Sequence, residues 1–233
     1  MLTGPEPARE PVRPGALPRV GGGRYGRPMT ETTIVPVTPG SFSDAQDAMS
    51  GGGDGHECQC QWWTMTNADF QRTDIDGRAA AFRIEVDAAP SPGLIAYVDG
   101  DAAGWVRVGP RTRQIRLSKT RAYAGATEEP WDDADVWAVS CFAVRREHRG
   151  SGLNAALLDA AVAFARENGA RVVEAYPVDA DAGRKVSSNE LYHGALSTFL
   201  SAGFREVARP KPHVAVVALD LTDANTDSSG DER

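Results

Sequence analysis

Long apolar runs are missing from this 233-residue chain although 41% of it is hydrophobic. No stretch approaches the ~18 residues of a membrane span, and the N-terminus has no secretory apolar segment. The expected location is therefore the cytoplasm, with no membrane partner. Cysteine is scarce too: three residues, two of them (Cys58 and Cys60) separated by a single residue, make no disulfide framework. His56, Cys58 and Cys60 alternate as soft metal ligands do, but no second cysteine pair completes a closed site. The expectation is no metal, with small buried cysteines anchoring a loop beside Trp62 and Trp63. Positive charge is in deficit, 25 Lys and Arg against 32 Asp and Glu, which argues against nucleic acid and anionic membranes. No internal repeat is present.

Residues 1–28 are rich in Pro, Gly and Arg and lack large apolar side chains, so they are expected to form a disordered extension. Residues 220–233 read as an acidic disordered tail, leaving a single domain over 29–219. Within it, "TTIVPV" reads as an edge strand because of Pro36, followed by a short helix over "SFSDAQDAM". A helical stretch from Asn67 to Asp87 is expected to break near Asp76 and Gly77. "GLIAYVDGDAAGWVRVG" is a hairpin turning at Asp99 and Gly100, and "DVWAVSCFAV", apolar on both faces, is a central strand.

The next helix carries its core stripe at Leu153, Leu157, Ala161 and Phe164 and stops at Asn168 and Gly169. "RVVEAYP" is a strand. A further helix is expected to start at a capping box of Ser187 and Glu190, to bury Leu191, Ala195 and Phe199, and to stop at Gly203. "FREVAR" and "HVAVVALDL" are closing strands. The fold class is α/β: a mixed, mostly antiparallel central sheet of about six to seven strands flanked by helices, with a strand-turn-helix ligand site.

That turn is "FAVRREHRGSGLNAALL", residues 142–158. It is no P-loop, since no Lys followed by Ser or Thr closes it. Gly150, Gly152 and Ala155 spell GxGxxA, and Glu174 follows where a dinucleotide fingerprint places its ribose carboxylate. Five residues separate Val144 from Gly150, however, too many for that fingerprint, so a dinucleotide- or S-adenosylmethionine-dependent enzyme is the weaker alternative. Backbone N–H groups bared at a helix start attract an anion whichever ligand brings it. Arg145, Arg146 and Arg149 could steer or pair phosphates.

Arg149, Gly152 and Asn154 fall on the pyrophosphate motif of the GNAT superfamily of N-acetyltransferases (Arg or Gln, two residues, Gly, one residue, Gly or Ala), although Asn154 departs from its small last residue. From about Thr32 to Leu219, including "RGSGLN", "EAYP" and "STFLSAGFREV", the chain resembles that superfamily. The resemblance implies acetyl-CoA as co-substrate and direct transfer to an amine, either on a small molecule or on a protein or peptide. It implies pantetheine pairing along Phe142, Ala143 and Val144, and a coenzyme cradle of Arg149, Gly150, Ser151, Gly152, Leu153 and Asn154.

An alkylammonium, with pKa near ~10.4, must lose a proton before it attacks. Glu174 is the candidate base, with Asp135 behind it. Many relatives protonate the leaving thiolate from a Tyr four residues before the "GF" glycine. Phe199 stands there instead, which leaves Tyr192, and beside it His193, as candidate donors, or a noncatalytic acyl-CoA-binding or sensory module as the alternative function. Trp62 and Trp63 are candidate acceptor contacts through cation–π attraction. The oligomeric state stays open, a homodimer included.

Overall fold

A computed structural model describes residues 30–51, 54–180 and 190–222. The expected extension over 1–28, nearly all of the acidic tail and Ser187 of the expected capping box lie outside them. Seven strands form one sheet in the order β1-β2-β3-β4-β5-β7-β6. Their ranges are β1 Thr32–Pro36, β2 Gly93–Val98, β3 Asp101–Pro110, β4 Val136–Val144, β5 Val172–Ala175, β6 Arg205–Lys211 and β7 Val214–Asp220. Only β4 and β5 run parallel, so the sheet is mixed and mostly antiparallel, as the pattern of elements predicts. Asp99 (φ +51°) and Gly100 (φ +89°) make the β2–β3 turn with positive φ at both central residues. β1 is an edge strand, where Pro36 leaves no ladder donor unmet in the sheet interior.

Helices cover both faces. On one, α6 (Leu153–Glu167) packs Leu153, Leu157, Leu158 and Ala161 on Val106, Val108 and Val139. Each fully buried leucine stabilises the fold by at most about 1.5–3 kcal/mol. On the other face, α1 (Phe42–Met49) and α4 (Ile75–Val86) bury Ala45, Ala48, Met49, Phe82 and Val86 against Ile95 and Trp105. Two-residue alternation therefore sends Trp105 and Val106 of β3 to opposite layers, which is why a continuous apolar run reads as a covered strand. Between α1 and α4 lie the short α2 (Gly55–Cys58) and α3 (Asn67–Arg72), and α5 (Arg116–Lys119) follows β3. No helix among the described residues is long and apolar enough to cross a membrane.

Two expectations are corrected. The break between α3 and α4 falls at Thr73 and Asp74 rather than near Asp76 and Gly77, because Asp74 caps α4 by accepting from the Gly77 N–H at 2.8 Å. The helix expected from Ser187 begins only at Leu196, as α7 (Leu196–Ser201). Before it, Leu191–His193 is a 3-10 turn, and Gly194 (φ +81°, ψ 158°) takes a conformation that no helix contains. Leu191 is consequently exposed, while Phe199 is buried as expected. At the other end of the described residues, β7 runs through Asp220, opposite Val172, and Leu221 is buried.

Candidate functional site

β4 and β5 stay paired only from Val136 opposite Val172 to Val139 opposite Ala175. Beyond that point β4 continues alone on this side, and on its other side the register to β3 shifts between Arg107 and Val108, leaving Ser140 as an extra residue. The Arg145 N–H donates to Ala103 in β3, so alternation turns the backbone groups of Phe142 and Val144 away from β3, toward the gap. Two carbonyls on that open side are capped by side chains: Ser140 O by the Trp63 Nε1–H at 3.2 Å, and Val144 O by the Arg149 Nε–H at 3.0 Å. The Phe142 and Val144 N–H groups have no strand partner there.

The strand leads into the glycine turn. Gly150 (φ +75°) and Gly152 (φ +85°) supply left-handed backbone conformations, and Gly152 caps α6 without any side-chain bond to its first amides. Ser151 Oγ donates to His148 O at 2.6 Å instead. Ala155 and Ala156 donate to Gly152 O, so the α6 start leaves the Leu153 and Asn154 N–H groups without a partner among the described residues, at the positive end of a 15-residue helix. Asn154, the departure from the motif, is exposed, so its side chain need not crowd those amides. Arg149 is exposed and tied through Nη2 to Gly51 O at 3.2 Å; Arg145 pairs with Glu147 at 2.6 Å, and Arg146 is exposed.

Strand end and glycine turn open into one cavity of about 740 Å³. Its wall includes Phe142, Ala143, Val144, Arg149, Gly150, Gly152, Leu153 and Asn154, together with Trp62, Trp63 and Tyr192. The candidate coenzyme, acceptor and proton-donor residues are therefore brought together, Ser151 sitting in the same turn. Burial pushes the Tyr192 phenol well above its usual range, so it carries its proton at neutral pH. Its ring stacks on His193 at 4.0 Å, and burial pushes that imidazole down to about 4, leaving it neutral. Trp63 is anchored by its bond to Ser140. Trp62 faces Phe70 edge-on at 5.1 Å and already carries a guanidinium, that of Arg116, 3.9 Å from its ring centroid.

Glu174 is elsewhere. It does not line the cavity, and its side chain is fully buried: it pairs with Arg111 at 2.5 Å, accepts from Tyr176 Oη at 3.1 Å and from the Thr127 hydroxyl. Arg111 in turn reaches Thr127 Oγ1 at 2.9 Å and the Glu129 and Pro130 carbonyls, and covers the Trp131 ring at 4.3 Å. This carboxylate ties the 111–131 connection to β5, with its oxygens committed to Arg111, Thr127 and Tyr176 rather than facing the cavity where a base would act. Asp135 is exposed at the far end of β4. The carboxylates that do line the cavity are Asp54 and Glu57.

Sequence reasoning also missed Phe70, Arg78, Cys141 and His148, all in the wall. They come from separate elements and share no local spacing; only the sheet's closure brings Cys60 and Cys141 together. The neighbouring Cys141 thiol, with Arg107 and the Trp105 indole, pulls Cys60 down to about 7. The Trp105 indole N–H donates to Cys60 Sγ at 3.2 Å. Among the described residues no group of three or more His, Cys, Asp or Glu could hold a metal ion.

Several solved structures are similar to this chain. One solved acetyltransferase is 18% identical with a TM-score of 0.50, over 81% of this chain and 99% of its own. The GNAT domain of S. lividans PAT is 19% identical with a TM-score of 0.46, over 85% and 100%. A ribosomal-protein-alanine N-acetyltransferase from Brucella melitensis is 18% identical with a TM-score of 0.49, over 81% and 99%. At 18% identity the first of these speaks to the fold alone, and nothing is drawn from the other two. No curated protein matches the sequence. The family model described as the acetyltransferase (GNAT) family matches residues 59–186, more than half of the chain, and with it the splayed strand pair and the glycine turn: the chain belongs to the GNAT acetyltransferase family.

Proposed function

We propose that the protein transfers an acyl group, acetyl in the first instance, from acyl-CoA directly to an amine held in the same cavity. One observation carries this reading: the open amides of Phe142 and Val144 and the bared amides of α6 line one continuous cavity. The residues fit a coenzyme A ester. The α6 amides and Arg149 suit its pyrophosphate, and the open edge of β4 suits the amide-bearing pantetheine arm. Bound there, the thioester supplies the activated acyl carbon.

The chain's own groups do the rest. A β4 amide in the gap is aimed where negative charge develops on the acyl oxygen. Tyr192, protonated and in the wall, donates to the departing sulfur, taking the task that Phe199 cannot perform. The amine loses its proton to water at the mouth, near Asp54 and Glu57, since Glu174 is held by Arg111. Purified protein should release coenzyme A thiol from acetyl-CoA only when an amine is present, and Tyr192→Phe should lower kcat more than it raises KM. Tight coenzyme binding with no amine-dependent thiol release would favour the noncatalytic module. Thermal stabilisation by NAD or S-adenosylmethionine, with none from acetyl-CoA, would overturn the reading.

A further inference from the structure

Arg116 opens α5 one side chain behind the cavity wall. It is 7% exposed, its Nε–H donates to Met65 O at 3.0 Å, and its two terminal nitrogens are buried without a hydrogen-bond partner. The guanidinium lies 3.9 Å from the Trp62 ring centroid and 5.4 Å from that of Phe70. Arg78 covers Phe70 from another side at 4.2 Å and spends its own terminal nitrogens on the carbonyls of Glu57, Phe70 and Thr73. Among the described residues neither arginine has a carboxylate within ion-pair distance, whereas the buried Arg107 and Arg111 each hold a glutamate. Burial accordingly pulls the Arg116 pKa down, and Tyr192 and Cys58, both in the wall, sense its charge.

A buried cation lacking an anion is costly, and a neutral side chain would pack as well on Trp62. The planar fork with two unfilled donors matches one ligand chemistry best, a carboxylate taken in bidentate fashion. We propose that Arg116 is the acid-binding subsite of the acceptor cavity, and that the acceptors are amines bearing a carboxylate, amino-acid-like in class. The amine half of this statement rests on the acyl-transfer reading; the acid site stands on the unfilled guanidinium. To reach the fork, the carboxylate turns aside a wall side chain such as Tyr192 or Trp62. In the reaction the amine nitrogen bonds to the acyl carbon and the carbon–sulfur bond breaks. One proton leaves the nitrogen for solvent and one reaches the coenzyme A sulfur, giving an N-acylated amino acid and the free thiol.

The test uses the full chain saturated with coenzyme A, a dead-end complex in which binding is read without turnover. It is titrated calorimetrically with the protein amino acids and 4-aminobutyrate, each beside its carboxamide, and the same pairs are run as acceptors with acetyl-CoA. At least one acid should bind about tenfold or more tightly than its carboxamide. Arg116→Gln should abolish that preference, with the loss carried by KM, while Arg116→Lys keeps part of it; unchanged coenzyme A affinity certifies that each variant is folded. No acid preferred over its amide, or a preference that survives Arg116→Gln, overturns the proposal. Acid-selective binding without transfer to any amine would sink the transferase reading and leave the subsite standing. Transfer that ignores the carboxylate would do the reverse.

Discussion

Arg111 and Arg116 lie five positions apart on the connection between β3 and β4, and both are buried. Arg111 is neutralised and its fork is filled: Glu174 pairs with it, a hydroxyl and two carbonyls take up its terminal nitrogens, and Trp131 covers its face, leaving only Nε without a partner. Arg116 has one carbonyl and an aromatic face, and its fork is empty. The difference separates a charge that builds structure from a charge kept for something that arrives. It also shows why a buried carboxylate near a catalytic gap need not be catalytic: Glu174 answers to Arg111, 63 positions away in sequence.

The largest effect should come from breaking the paired site. Glu174→Ala strands a buried guanidinium and should cost about 3–5 kcal/mol in urea unfolding, whereas the double change Arg111→Met with Glu174→Leu should recover much of that. An unchanged midpoint for Glu174→Ala would erase the contrast.

Next is acid. His193 is held near 4 against an ordinary value of 6.5, so the unfolded chain binds a proton first as pH falls. Its stabilising contribution is complete above about 6.5 and is lost progressively down to about 4, amounting to at most about 3 kcal/mol. Wild type and His193→Gln, compared in pH-dependent urea melts, should converge across that window.

Gly152→Ala forces a left-handed residue at φ +85°, and should cost about 1–2 kcal/mol and weaken coenzyme A binding, read by calorimetry. The smallest effect sharpens the comparison most. Arg116→Met should leave the unfolding midpoint unchanged or raise it by about 1 kcal/mol, since it removes an unpaired charge, while Arg111→Met alone should be strongly destabilising.

What could be read from the sequence was what short-range rules control. The α6 stripe, the Asp99–Gly100 turn and the bared amides around Gly150 and Gly152 each depend on residues within a few positions of one another. The lost details are those in which a distant partner decides. Ser187 and Glu190 have capping-box spacing, yet Gly194 interrupts the helix because its backbone carbonyl accepts from the Val178 N–H, as a strand's would. The extra residue at Ser140 exists only relative to β3. Trp62 read as a bare aromatic face because nothing local announces that Arg116 covers it, 54 positions on. The cavity wall opposite the glycine turn draws on α2, α3, α4, the loop carrying Trp62 and Trp63, and the Leu191–His193 turn, segments scattered along the sequence that share the space they enclose.

Phe199 packs edge-on against Phe142 and Phe204, at 6.0 and 5.2 Å between centroids, with no exposed surface, and a Cβ on Gly194 would lie 2.7 Å from its ring. A tyrosine returned to this position would bring a hydroxyl into a space already filled by rings, with its desolvation unrepaid. A Phe199→Tyr change is therefore resisted from within, because Gly194 and the three phenyl rings already fill the space around that ring edge.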